Sequence, residues 1–228
     1  IGFRNSTGTS NLTYCIIEKG YSIALYEGSS GGGIYANCPN LTISNCIIRN
    51  NKALDSGGGI YTSSSPKIEN CLIYSNTSSE GSGGGGIYLG SGSAATVTNC
   101  TIVGNSALLG VGDDIYCESA DAVIKNTIIW RSEINLYQIY FSDSYSATNL
   151  VNCGFVAAYD AGGSEISVSS FTSCIGLNIS NTAKDGPNFI NPTTDLSLRL
   201  TSPCRDRGTS SGTPGAVPPA TDFIGNSR

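Results

Sequence analysis

Apolar and polar residues alternate through the first two thirds of the chain in short runs, and the runs return at nearly constant spacing. Leu41-Thr42-Ile43-Ser44 shows the pattern: a period of two, as in a strand with one face buried. Aligned on a recurring cysteine, the runs form columns. Leu12, Ile43, Ile68, Val97, Ile124 and Leu150 stand three residues before it, and Ile17, Ile48, Ile73, Ile102 and Ile129 two residues after it. The marker column is Cys15, Cys46, Cys71, Cys100 and Cys153, with Thr127 in its place once. A second string is interleaved with the first: Gly31-Gly32-Gly33-Ile34-Tyr35, Gly57-Gly58-Gly59-Ile60-Tyr61 and Gly84-Gly85-Gly86-Ile87-Tyr88. No stretch reads as a helix of useful length.

A fixed period of this size marks units that bury their apolar faces against each other. Short strands, each pairing with its equivalent one turn later, predict an all-β fold: a right-handed, single-stranded parallel β-helix. The repeats allow about six to seven coils, each rising roughly 4.8 Å. Residues 1–153 form the repeat coils. Residues 154–228, rich in Gly, Ser, Thr and Pro, form eroded last coils and an irregular C-terminal cap of the same domain. Erosion starts at Gly112-Asp113-Asp114-Ile115-Tyr116, where two glycines become aspartates, and Gln138-Ile139-Tyr140 is the last worn copy.

Asparagine precedes the cysteine column in five consecutive coils, at Asn45, Asn70, Asn99, Asn126 and Asn152. Asparagine tolerates left-handed backbone geometry, and stacked amides can bond along a column, so this row reads as a structural ladder. Asn51, Asn76 and Asn105 form a further column, where Ser132 stands in the next coil. The glycine triplets lack the spacing of a phosphate-binding loop and mark tight or left-handed backbone.

Composition narrows the chemistry. Only 13% of residues are charged and the net charge is −5, which disfavours nucleic acid and anionic membranes as partners. No apolar run approaches the roughly 18 residues of a membrane span. The chain starts at Ile1 without a signal-peptide pattern and is read as a mature or trimmed segment. There is no histidine, hence no histidine base or metal ligand. The nine cysteines are odd in number and include no Cys-x-x-Cys pair, so zinc has little support. The column cysteines read as buried small hydrophobes, and any disulfide is expected among Cys38, Cys117, Cys174 and Cys204.

Three groups of side chains are candidates for function. If the isoleucine of each Ile-Tyr pair points inward, Tyr35, Tyr61, Tyr88, Tyr116 and Tyr140 build an outward aromatic stripe suited to the rings of an extended glycan; cross-strand stabilisation is the structural alternative. Asp113 and Asp114 are the adjacent acidic pair of the coils, with Glu118 and Asp121 nearby. They are the residues to consider for general acid–base work or a Ca²⁺ site, but a solvated turn is the simpler reading. The basic residues Arg49, Lys52, Lys67, Lys125 and Arg131 lie on separate coils, and Arg199, Arg205 and Arg207 have Asp195 and Asp206 as acidic neighbours. No cofactor is expected beyond that weak calcium possibility.

The Gly-Gly-Gly-Ile-Tyr and Asn-Cys-x-Ile-x-x-Asn alternation resembles bacterial right-handed β-helix repeat proteins of the pectin-lyase-like superfamily. It also resembles the repeats of chlamydial polymorphic outer-membrane proteins. Asn126-Thr127-Ile128-Ile129-Trp130, Gly186-Pro187-Asn188-Phe189-Ile190-Asn191-Pro192 and Asp222-Phe223-Ile224-Gly225-Asn226-Ser227-Arg228 are similar to the closing coils of the choice-of-anchor β-helix proteins. That resemblance implies a secreted, bacterial cell-surface setting and supplies no catalytic motif. The Asn-Thr-Asp, His and Arg-Ile-Lys motifs of polygalacturonases on the same fold are absent. The expected function is a non-catalytic extracellular scaffold for adhesion or glycan binding. The alternatives are a polysaccharide lyase or glycoside hydrolase, which would use Asp113 and Asp114, and a self-associating subunit of an extracellular filament.

Overall fold

A computed structural model describes residues 1–4, 7–23, 29–119, 121–131, 137–177, 186–187, 189–191 and 195–198. Arg199, Cys204, Arg205, Asp206, Arg207, Ser132 and the motif at 222–228 lie outside the described residues. The chain winds into a parallel β-solenoid of about five turns with no α-helix among the described residues, only a 3-10 turn at Val168–Ser170.

Each strand hydrogen-bonds to its equivalent one turn later, giving four parallel sheets. The first runs from Gly2–Arg4 through Ile34–Asn37, Ile60–Thr62, Ile87–Leu89, Ile115–Cys117 and Ile139–Phe141 to Ala158–Tyr159, and the antiparallel strand Glu165–Ile166 closes its far edge. The second is six strands deep, from Ser10–Thr13 to Leu150–Val151, and the third seven deep, from Ile16–Glu18 to Ile175–Gly176. The fourth stacks Tyr21–Ser22, Lys52–Ala53, Thr77–Ser78 and Ser106–Ala107.

Register is exact from coil to coil, so like residues lie on like residues. Ile34 pairs with Ile60, Ile60 with Ile87, Ile87 with Ile115, and Ile115 with Ile139. All five are fully buried, as are Ile43, Ile68 and Val97 of the second sheet and Ile48, Ile73, Ile102 and Ile129 of the third. A one-residue slip would turn every one of these side chains toward water, at about 1.5–3 kcal/mol each.

The corner between the second and third sheets explains the asparagine and cysteine columns together. Asn45, Asn70, Asn99, Asn126 and Asn152 all have φ between 49° and 57°, the left-handed geometry that asparagine tolerates. The residue that follows then donates back to the carbonyl two positions earlier: Cys46 Sγ to Ser44 O at 3.2 Å, Cys71 Sγ to Glu69 O at 3.2 Å, and Cys100 Sγ to Thr98 O at 3.3 Å. Thr127 makes the same bond with its hydroxyl, to Lys125 O at 2.8 Å, which is why threonine can replace cysteine there. The column therefore needs a small donor as well as an apolar body. It also has a seventh member. Ser173 is left-handed, Cys174 Sγ donates to Thr172 O, and the neighbouring strands pair Gly154 with Ile175, so Cys174 belongs to the column and not outside it. None of the eight described cysteines forms a disulfide.

Beyond the coils, Leu177 and Leu196 pack on Val103 and Trp130, which stand on the outer side of the third sheet with Tyr74. Leu177 and Leu196 thus cover this part of the third sheet's outer side.

Candidate functional site

The Ile-Tyr pairs place isoleucine inward and tyrosine outward along the first sheet. The tyrosine rings stack face to face: Tyr35 on Tyr61 at 5.2 Å, Tyr61 on Tyr88 at 5.1 Å, Tyr88 on Tyr116 at 4.8 Å and Tyr116 on Tyr140 at 5.5 Å. The interplanar angles are 14°, 14°, 3° and 29°. In-register strands set this spacing, because consecutive rings sit one strand separation apart. The stack covers the faces of its own inner rings, and Tyr88 and Tyr116 are buried while Tyr35, Tyr61 and Tyr140 are half-buried. The inner rings thus show little surface, and the Tyr140 hydroxyl is taken up by Ala161 O at 3.0 Å.

The row is longer than the repeat suggests. The guanidinium of Arg4 lies 4.4 Å from the centre of the Tyr35 ring at one end. At the other, Tyr137 meets Tyr140 and Tyr159 edge-on at 5.6 and 4.7 Å, and Tyr159 pairs in register with Tyr140. Ala158-Tyr159 is the worn Ile-Tyr copy that would have shown this extension in the sequence. Burial, followed by the hydrogen bond and charge of Glu118, holds the Tyr88 hydroxyl well above its ordinary pKa. Burial also raises Tyr61 and Tyr140, so these groups stay protonated at neutral pH.

Asp113 and Asp114 are placed very differently from the solvated turn that their pairing predicts. They occupy the positions held in earlier coils by Gly32 and Gly33, Gly58 and Gly59, and Gly85 and Gly86. Both are buried, at 1% and 0% exposure. In the earlier coils there is no room for a side chain here. A Cβ on Gly59 would meet Gly86 O at 2.6 Å and Asn76 Nδ2 at 3.0 Å. The obstacle is an internal amide ladder: Asn51 Nδ2 donates to Asn76 Oδ1, and Asn76 Nδ2 to Asn105 Oδ1, each at 2.9 Å. Each amide also donates to a backbone carbonyl, to Ile17, Ile48 and Ile73 in turn.

The ladder then runs out of asparagines, and Asp114 completes it. Its Oδ1 accepts from Asn105 Nδ2 at 2.9 Å and from Asn105 N at 3.2 Å, and its Oδ2 accepts from Gln138 Nε2 at 3.1 Å. Gln138 Oε1 continues the network by accepting from Val156 N and Ala157 N. Asp113 Oδ1 accepts from Ala107 N at 2.7 Å, at the last described strand of the fourth sheet, and its Oδ2 pairs with Arg131. The acidic pair is internal: one carboxylate accepts from the amide ladder at Asn105, and the other from Ala107 N of the fourth sheet. Burial pushes the Asp114 carboxyl up to about 7, against the lowering effects of Asn105, Gln138 and Arg131.

The outer asparagine row is a less complete ladder. Asn70 donates to Asn45 and Asn152 to Asn126 at 3.3 Å, but the buried amide nitrogens of Asn99 and Asn126 have no hydrogen-bond partner. Among the described residues no group of three or more Cys, Asp or Glu is placed to hold a metal ion. The scattered basic residues also remain apart: Arg49 pairs with Glu18 at 2.7 Å and Arg131 with Asp113.

A family model described as the right-handed β-helix region matches residues 1–155. No curated protein and no solved structure matches the chain.

Proposed function

The chain belongs to the right-handed β-helix family, and on that premise we propose that it is a non-catalytic extracellular scaffold that contacts a polysaccharide or cell-surface glycan along the tyrosine-bearing sheet. The observation that carries this reading is the burial of Asp113 and Asp114. Every carboxylate oxygen of that pair is engaged by Asn105, Ala107, Gln138 or Arg131, and neither side chain reaches the surface where a polymer would lie. An acid and a base that act on a glycosidic bond have to touch it. The row from Tyr35 to Tyr140 instead offers a line of stacked rings over five coils, with Tyr35, Tyr61 and Tyr140 half-buried, which suits an extended glycan chain. The similarity of residues 126–130 and of the closing stretch to choice-of-anchor proteins supports a bacterial surface setting.

Electrophoresis in native gels cast with acidic and neutral polysaccharides tests this reading. Slowed migration without clearing of the embedded glycan is the expected outcome, and Tyr61→Ala with Tyr88→Ala should remove the slowing. A cleared zone would replace the scaffold by an enzyme.

A further inference from the structure

A cavity of about 470 Å³ opens at the far end of the tyrosine row, between Ser142–Tyr145 and the turn Asp160–Gly162. It is a wide-mouthed surface groove and not an enclosed pocket. The cavity adjoins the row directly, because the Tyr140 hydroxyl donates to Ala161 O at 3.0 Å. Its walls differ from the row in one respect that matters for binding. Tyr145 packs against Phe141 and Phe171 at 5.8 Å each and keeps 39% of its surface exposed, whereas the inner rings of the row are covered by one another.

The polar lining is one-sided. Asp160 Oδ1 accepts from Gly162 N and Ser164 N at 2.9 Å each, which holds the turn in shape. Asp143 Oδ1 accepts from Ser144 N at 2.7 Å across the opening of the loop. Among the described residues, two carboxylates and two serine hydroxyls line the cavity, and no lysine or arginine does. Such a lining accepts hydrogen bonds from hydroxyl groups and repels an anion, since a carboxylate brought beside Asp143 and Asp160 meets two like charges and no counter-charge. An exposed aromatic body beside hydrogen-bond acceptors fits the C–H face and hydroxyls of a pyranose ring.

We propose that this cleft binds a sugar residue that carries no acidic group, with the ring on Tyr145 and its hydroxyls donating to Asp143 and Asp160. The proposal rests on the glycan reading above and adds where the strongest contact falls and which glycans are refused.

Saturation-transfer NMR and calorimetry with three soluble tetrasaccharides, of glucose, of N-acetylglucosamine and of galacturonate, test it on the whole chain. Binding to at least one of the first two is expected, with none to the galacturonate oligomer. Tyr145→Ala should weaken that binding about tenfold, while Tyr145→Phe keeps it within about threefold, because the ring and not the hydroxyl is the platform. Asp143→Ala should weaken it as well, and decides the matter should Tyr145→Ala fail to fold. Unchanged binding in Tyr145→Ala and Asp143→Ala, a preference for galacturonate, or no binding to any of the three would overturn the cleft. Slowed migration in a polysaccharide gel that survives Tyr145→Ala but not Tyr61→Ala with Tyr88→Ala would overturn the cleft and leave the tyrosine-row reading standing.

Discussion

At the scale of the residue, the most informative group is Asp114. Its carboxylate is fully buried, yet it accepts three N–H bonds, and the balance leaves its pKa raised to about 7. A carboxyl whose pKa is higher in the folded chain than in the unfolded one contributes stability in its protonated form. That contribution is complete below about pH 4 and is lost as pH rises through 7. The shift corresponds to a difference of order 4 kcal/mol across that window. Urea unfolding from pH 4 to 8 should show this decline in the native chain, and Asp114→Asn should flatten it. The variant should also lose some stability at every pH, because its amide would set a donor against Gln138 Nε2. The sequence showed the pair and its place in the repeat but not its surroundings. Two aspartates in a glycine-rich string look solvated, and only the register reveals that they face Asn105 of the amide ladder and Ala107 of the fourth sheet. The donor role of the column cysteines was hidden in the same way, though Thr127 was the clue: a hydroxyl replaces a thiol where the proton matters.

At the scale of the element, the strands and their register were legible from the columns alone, because period-two alternation and a constant offset leave one parallel alignment in which all the isoleucines are buried. The tyrosine stripe was legible too, but not its internal packing. Sequence spacing says that the rings lie on one face; the strand separation decides that they stack closely enough to cover each other. Tyr88, between two rings and 6% exposed, therefore carries more of the sheet's stability than Tyr35 at the end of the row. Tyr88→Ala should cost about 3 kcal/mol in urea unfolding and Tyr35→Ala about 1 kcal/mol. Equal losses would mean that the stack does not act as a continuous element.

At the scale of the whole molecule, the repeat pattern erodes where Asp113 and Asp114 replace two glycines of the earlier coils. Through Ala107 each coil contributes a strand to all four sheets; beyond it, among the described residues, the second sheet gains two more strands and the first and third gain three more parallel strands each. The Ala107 N–H and the Asn105 amide are both buried, so both must be satisfied inside the protein. Asp113 and Asp114 do this together, and Arg131 balances the charge that results. The same geometry removes the pair from any surface chemistry. The most direct test is the unfolding free energy of Asp113→Ala against the native chain in urea. The account predicts a loss of about 3–5 kcal/mol, since Arg131 would be left without its partner and Ala107 N without an acceptor. A loss below about 1 kcal/mol, the level expected on removing an exposed carboxylate, would contradict it.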